Sequence, residues 1–161
     1  MNQPNIRLIE QKDNAVVAAL VRKVMAEFDC IGEGYSIQDP EMDDLYKAYQ
    51  ADNASFWVIE QNAQIKGAGG FAPLKGDETG VICELQKMYF LQELRGYGMG
   101  QKLLSLAIDT ARQAGFKTMY LETVERMTAA NGLYNKNGFK AASSQGCTGH
   151  NSCDTFYTLT L

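Results

Sequence analysis

The apolar positions of the chain recur with two periods, one typical of strands and one typical of helices. Alternating or continuously apolar runs predict strands, at residues 6–9, 56–60, 64–74, 81–90, 117–123 and 154–161. Apolar residues three and four positions apart predict helices, near Asn14, from Pro40 onward, and at residues 98–114 and 128–137. This order of elements predicts one α/β domain over residues 1–161, with a mixed sheet and about four helices.

A glycine-rich segment joins the strand at 81–90 to the helix at 98–114. It reads Arg95-Gly96-Tyr97-Gly98-Met99-Gly100. Glycines at alternate positions let the backbone turn tightly, so that several N–H groups can approach one anion. The helix directs its own unpaired N–H groups and its positive dipole end toward the same point. We therefore predict that residues 95–100, the glycine loop, bind a pyrophosphate.

The spacing of the glycines separates this loop from two other phosphate-binding loops. A nucleoside triphosphate loop ends in Gly-Lys-Ser/Thr, whereas Gly100 is followed by Gln101 and Lys102. A dinucleotide-binding loop has the spacing Gly-x-Gly-x-x-Gly, whereas the glycines here stand at every second position. The sequence therefore excludes both of these loop types.

The loop matches the pattern Arg/Gln-x-x-Gly-x-Gly/Ala, and a helix, a strand and then Leu133-Tyr134-x-x-x-Gly138-Phe139 follow it. In these motifs the chain resembles the GNAT acetyltransferases, a family that uses acetyl-coenzyme A. The resemblance implies a mixed, mostly antiparallel sheet of six or seven strands flanked by about four helices. It also implies transfer of an acetyl group to a primary amine, directly within a ternary complex. A non-catalytic module that binds acyl-coenzyme A is the alternative.

The resemblance also implies which residues bind the donor. The backbone at the end of one strand, at Met88, Tyr89 and Phe90, would pair with the pantetheine arm. The glycine loop would bind the pyrophosphate, through Arg95, Gly96, Tyr97, Gly98, Met99 and Gly100. Tyr134 would protonate the departing thiolate, since a phenol with a pKa of about 10 can supply that proton; a core aromatic is the alternative. Asn131 would bond the pantetheine or the acceptor amide, or is a solvated helix residue.

On the acceptor side we predict Glu84 as the general base. An alkylammonium has a pKa of about 10.4 and must lose a proton before it attacks. Burial in an apolar strand is expected to raise the pKa of this glutamate, which suits a base. The alternative is a glutamate in a salt bridge with Lys87. Glu122, on the neighbouring strand, is the reserve candidate. By the layout of the family, the segment 146–154, which we call the tail, would form one wall of the acceptor pocket, with His150 and Cys153 contacting the substrate.

The same tail permits two other chemistries. Cys147, His150, Cys153 and Asp154 have the spacing of metal ligands, and a pair of Cys153 and His150 could accept the acetyl group before passing it on. We favour neither, because a structural zinc ion would want four firm ligands. Acetyl transfer needs no metal, and none is expected.

The negative net charge of the chain limits the kinds of partner that it is expected to bind. With a formal net charge of -4, we expect no binding to nucleic acid or anionic membranes, and a small-molecule or peptide amine as acceptor. The chain shows neither a secretory signal nor an apolar run of about 18 residues, which predicts a cytoplasmic protein. Its four cysteines are then expected as free thiols. A homodimer is the expectation for the family.

Two further patterns leave alternatives open. Gly67, Gly69 and Gly70 interrupt a strand, either because an acceptor comes close to them or because the strand bulges there. The acidic segment 35–49, which includes Asp39 and Glu41, either receives a cationic amine or forms a solvated helix face, and the sequence favours the latter.

Overall fold

The computed structural model describes residues 2–161, in which strands and helices follow the predicted order. The strands are β1 (Asn5–Leu8), β2 (Ser55–Gln61), β3 (Gln64–Pro73), β4 (Ile82–Phe90), β5 (Thr118–Thr123), β6 (Lys140–Ala141) and β7 (Thr155–Thr160). The α-helices are α1 (Asn14–Glu27), α2 (Leu45–Ala48), α3 (Met99–Gln113) and α4 (Thr128–Lys136). Within residues 2–161, no helix combines the length and apolarity that crossing a membrane requires.

The strands form one mixed sheet in the order β1-β2-β3-β4-β5-β7-β6. The central pair, β4 and β5, is parallel, and every other neighbouring pair is antiparallel. Helix α3 is the crossover between β4 and β5, as parallel neighbours require. Leu103, Leu104 and Ala107 of α3 pack on one face of the sheet, while Val17 and Val21 of α1 pack on the other. The prediction of a mixed, mostly antiparallel sheet with four helices is confirmed.

Strands β4 and β5 pair over a short stretch and then part. Their register covers only Ile82–Glu84 against Thr118–Tyr120, although β4 continues to Phe90. A bulge lies just beyond this stretch, where Lys87 has a φ of 51° and the register with β3 shifts between Ala68 and Gly70. Because a bulge bends its strand, the end of β4 turns away from β5 and leaves its backbone edge open.

One of the helices differs from the sequence prediction. The helix predicted from Pro40 onward is broken into a 3-10 turn, Pro40–Asp43, and the short helix α2. Asp44 makes the break, because its side chain accepts a hydrogen bond from the Lys47 backbone N–H and thereby starts a new helix. In α1, Val16 is 49% exposed although it is apolar, whereas its neighbour Val17 is buried.

The three strand glycines are explained by packing. A Cβ atom built on Gly67 would lie 2.7 Å from the Phe90 ring, and one on Gly70 would lie 2.3 Å from the Ser55 carbonyl oxygen. The register shift between Ala68 and Gly70 confirms the bulge at this point. Neighbouring strands and side chains thus occupy the space that an approaching acceptor would need.

Two glycine substitutions are expected to change stability in opposite directions. Gly70→Ala should lower the free energy of unfolding by about 1–3 kcal/mol, because its methyl group has no space. Gly132→Ala, inside α4 with nothing within 4 Å of the new Cβ, should raise it by about 0.5–1 kcal/mol. Urea unfolding at one pH measures both, and an unchanged midpoint for Gly70→Ala would contradict this account of the packing.

Candidate active site

A groove of about 490 Å³ opens where β4 and β5 part. We call it the donor groove; it runs between the end of β4, the glycine loop and α4. Nine of the predicted donor residues line it, namely Met88, Tyr89, Phe90, Arg95, Gly96, Gly98, Met99, Gly100 and Tyr134. The two predicted residues that do not line it are Tyr97 and Asn131. The structure therefore brings most of the predicted donor residues to one place.

The backbone of the glycine loop is preformed for an anion. Gly96 and Gly98 have φ values of 87° and 74°, the left-handed region that favours glycine. In the part of the chain that the structure describes, the backbone N–H groups of residues 96–100 donate no hydrogen bond. Helix α3 starts at Met99, so its N-terminal end points at the same place. Free N–H groups and a helix N-terminus together form an anion site.

The side chains of Arg95 and Tyr97 have other surroundings. The Arg95 guanidinium donates to the Phe90 carbonyl oxygen over 3.0 Å and to Glu27 over 2.9 Å, which ties the loop to β4 and α1. The Tyr97 side chain points outward, and the residue is 64% exposed. The Arg95 backbone N–H also donates internally, to the Gln92 carbonyl oxygen over 3.2 Å, so Arg95 anchors the loop whereas Tyr97 can serve a phosphate through its backbone N–H.

Tyr134 and Asn131 lie on α4 with different roles. Tyr134 is buried, and its ring packs 5.6 Å from that of Phe139 and 6.0 Å from that of Tyr157. Burial raises the pKa of its phenol, so the hydroxyl keeps its proton until a strong base arrives. Asn131 donates its amide group to the carbonyl oxygens of Val124 and Glu125, over 3.1 and 3.2 Å. Its buried Oδ1 finds no partner within residues 2–161.

A second, smaller cavity adjoins the donor groove, and we call it the acceptor cavity. Tyr89 and Met127 line both spaces, so these two side chains mark where the spaces meet. The remaining residues that line the cavity come from α1, from the segment after it, from β4, from β5 and from the tail: Met25, Cys30, Tyr35, Ser36, Glu84, Leu85, Gln86, Lys87, Glu122, Thr123, Val124, His150 and Cys153. Glu84, Glu122, His150 and Cys153, all predicted on the acceptor side, therefore meet here.

Glu84 is held in place inside this cavity. The Gln86 side chain donates to Glu84 Oε1 and accepts from the Tyr49 hydroxyl over 2.6 Å. Burial raises the pKa of the Glu84 carboxyl. The alternative salt bridge with Lys87 is absent from the described residues, because the fully buried Lys87 ammonium binds Asp39 over 2.8 Å and Glu41 over 3.2 Å.

His150 is fixed by an acid that the sequence did not assign to it. Its Nε2 lies 2.8 and 3.0 Å from the two carboxylate oxygens of Asp39. Its Nδ1 faces two further carboxylates, 3.7 Å from Glu122 and 3.9 Å from Glu84. Burial alone would lower the pKa of His150, but the bond to Asp39 and the nearby carboxylates outweigh burial and raise it. Segment 35–49 is thus in part a wall of the site rather than a solvated face.

The two alternative chemistries of the tail find no support here. Cys147 is exposed, and its backbone N–H donates to Lys75 over 2.7 Å. Burial and nearby carboxylates raise the pKa of Cys153 to about 12, which disfavours the nucleophilic thiolate. In the described chain, the groups that converge are Glu84, Glu122 and His150, whose ligand atoms lie within 4.8 Å of one another. Such a set suits a cation rather than a cysteine-bound zinc ion. All four cysteines are free thiols, as predicted.

Solved structures share this architecture. A Streptococcus agalactiae acetyltransferase superposes with a TM-score of 0.83 and 17% identity, covering 100% of both chains. The structure of yncA from Salmonella typhimurium with its cofactor acetyl-CoA superposes with a TM-score of 0.77 and 23% identity, covering 99% of this chain and 94% of that one. The fold is therefore that of the acetyltransferases.

Sequence comparison then gives the family. The family model described as Acetyltransferase (GNAT) family matches residues 19–139. N-acetyltransferase YjgM of Escherichia coli (strain K12) is 42% identical over 153 residues, which are 94% of this chain and 91% of that protein. The chain belongs to the GNAT acetyltransferase family, and the predictions of family and of acyltransferase class are confirmed.

The single histidine of the chain makes the charge state of the site measurable. The His150 Cε1–H signal in proton NMR should titrate with a midpoint above 6.5, the ordinary value. Asp39→Asn should lower this midpoint, because it removes a negative charge and an acceptor from Nε2. Asp109→Asn, an exposed charge on α3, should leave it unchanged. A midpoint at or below 6.5 in the unaltered protein would contradict the arrangement.

Proposed function

We propose that the protein is an acetyl-coenzyme A-dependent N-acetyltransferase that moves the acetyl group directly to a primary amine in a ternary complex. The observation that carries this proposal is the set of free N–H groups at residues 96–100, at the mouth of a groove that meets the acceptor cavity at Tyr89 and Met127. A small-molecule or peptide amine, a cytoplasmic location and a homodimer are part of the same proposal.

Donor binding uses the backbone more than side chains. The pyrophosphate lies against the free N–H groups of the glycine loop, where the dipole of α3 favours a negative charge. The pantetheine arm pairs with β4 at Met88, Tyr89 and Phe90, because this edge has no partner strand beyond Glu84 in the described chain. A backbone N–H there polarises the thioester carbonyl. Asn131 does not line the donor groove and its amide nitrogen donates to two backbone carbonyl oxygens, so no contact with the arm is assigned to it.

Proton removal from the acceptor is assigned to Glu84. Its raised pKa brings the carboxyl closer to that of the amine whose proton it takes, directly or through a water molecule. Glu122 is the reserve base, since it faces the same cavity. The neutral nitrogen then attacks the thioester carbonyl carbon, a carbon–nitrogen bond forms and the carbon–sulfur bond breaks. The nitrogen releases its second proton to solvent as the amide forms.

The departing thiolate takes its proton from Tyr134. The phenol lines the donor groove and keeps its proton in the resting protein because burial raises its pKa. Solvent restores the proton to the tyrosine after release of coenzyme A. A carboxyl that faces the acceptor cavity and a phenol that faces the donor groove favour catalysis over the alternative of a binding module without chemistry.

Donor binding should depend on the left-handed conformation at Gly98. Gly98→Ala should weaken acetyl-coenzyme A binding by about tenfold or more, because a Cβ disfavours this conformation and tilts the N–H groups away. Gly115→Ala is the matched control, since Gly115 also has a positive φ but ends α3 far along the helix. Isothermal titration measures both. Equal affinity for Gly98→Ala and the unaltered protein, or no binding by the latter at millimolar donor, would contradict the proposal.

The two proton transfers should be separable by substitution. Tyr134→Phe should lower kcat by about 10²-fold with little change in donor affinity, because the phenol acts only on the leaving group. Glu84→Gln should lower kcat/KM by a similar factor, and kcat/KM should then no longer rise with pH. Tyr157→Phe, whose ring packs against Tyr134 outside the groove, is the control. Unchanged turnover in Tyr134→Phe would eliminate the acid role.

A further inference from the structure

The acceptor cavity is surrounded by more negative than positive groups. Four carboxylates belong to one connected cluster with two basic groups: Asp39, Glu41, Glu84 and Glu122, with Lys87 and His150. Even with His150 protonated and Glu84 neutral, three carboxylates face two cations. The Lys87 ammonium is fully buried and bound to Asp39 and Glu41, so it is not free for a ligand.

Glu84 and Glu122 face the same side of His150, and the Glu122 carboxylate already accepts from the hydroxyls of Tyr120 and Thr148. Glu84 Oε2 lies 3.9 Å from His150 Nδ1, and Glu122 Oε2 lies 3.7 Å from the same nitrogen, both too long for hydrogen bonds. The side chains of Glu84 and Glu122 are only 5% and 2% exposed. Glu84 Oε2 has no hydrogen bond from any described residue. An incoming N–H donor with a positive charge would supply the hydrogen bond that this oxygen lacks and would offset the negative charge around it.

Among the described residues that line the outer approach to these two carboxylates, His150 is the one basic side chain. An outer cavity of about 270 Å³ shares Glu122, His150 and Cys153 with the acceptor cavity. Among the described residues that line it there is neither lysine nor arginine. Arg126 contacts Tyr35, which lines the acceptor cavity, but its guanidinium is bound to the carbonyl oxygens of Phe28 and Asp29 and to the Tyr35 hydroxyl.

We propose that the acceptor is a primary amine whose amine-bearing carbon carries no carboxylate, and that the cavity rejects α-amino acids. This inference rests on the proposed function and names its substrate class. The ammonium group binds between Glu84 and Glu122, and a carboxylate on the same carbon would lie against these two side chains. Carboxylates brought together without solvent repel one another strongly. This repulsion weakens the binding of α-amino acids, in addition to the attraction that favours a simple amine.

A matched pair of acceptors tests the proposal with the unaltered protein. Norvaline and butylamine differ only by the α-carboxylate, and both are supplied with acetyl-coenzyme A while release of coenzyme A and the acetylated product are measured. We expect kcat/KM for butylamine to exceed that for norvaline by about tenfold or more. The amine of norvaline is the less basic of the two, so deprotonation alone would favour norvaline.

A charge-removing variant tests the assigned cause. Glu122→Gln keeps the size of the side chain and should narrow the ratio between the two acceptors several-fold, whereas Asp109→Asn on the surface of α3 should not change it. Equal or better use of norvaline, or no acetylation of either amine by protein that still binds acetyl-coenzyme A, would overturn this inference and leave donor binding standing. Failure to bind acetyl-coenzyme A at all would instead overturn the proposed function.

Discussion

The parting of β4 and β5 is the constraint on which the rest of the site depends. Three residues of each strand pair, and then the bulge at Lys87 bends β4 away from its neighbour. A sheet that stayed paired would use every backbone group of β4 internally and would leave no edge for a donor. Because the strands part in the middle of the sheet, the opening is lined by residues of a rigid scaffold, which suits the precise positioning that the proposed transfer requires.

The residue at the bulge, Lys87, is buried, and the charge of its ammonium group must be compensated. Lys87 is enclosed completely, and removing an ammonium group from water costs several kcal/mol unless carboxylates compensate. Asp39 and Glu41 supply that compensation from the segment before α2, and Asp39 also binds His150 in the tail. One cluster of charges therefore joins β4 to two irregular segments that have little regular structure of their own, and these segments form the walls of the acceptor cavity.

Local features of the site could be predicted from the sequence, and long-range ones could not. The glycine loop, its strand and its helix follow from residues that are adjacent in the chain, and Glu84 stood out as an acid within an apolar strand. The pairing of Asp39 with His150 joins residues 111 positions apart in two segments without periodicity, so no pattern indicated it. Lys87 inside an apolar strand indicates a buried acidic partner, but its partners Asp39 and Glu41 lie 48 and 46 positions away in a segment without periodicity.

The surplus of negative charge around the acceptor cavity and the raised pKa of Glu84 together determine when this carboxyl ionises. A carboxyl that is buried among other acids resists ionisation while the cavity is empty, so the resting protein does not hold an uncompensated charge. An ammonium group entering beside Glu84 reverses this balance, because an opposite charge nearby favours the ionised carboxylate. If the acceptor is the cationic amine that the cavity suits, its arrival creates the base that deprotonates it. An α-amino acid would bring its own carboxylate and lose part of that effect, so binding and catalysis would discriminate against it together.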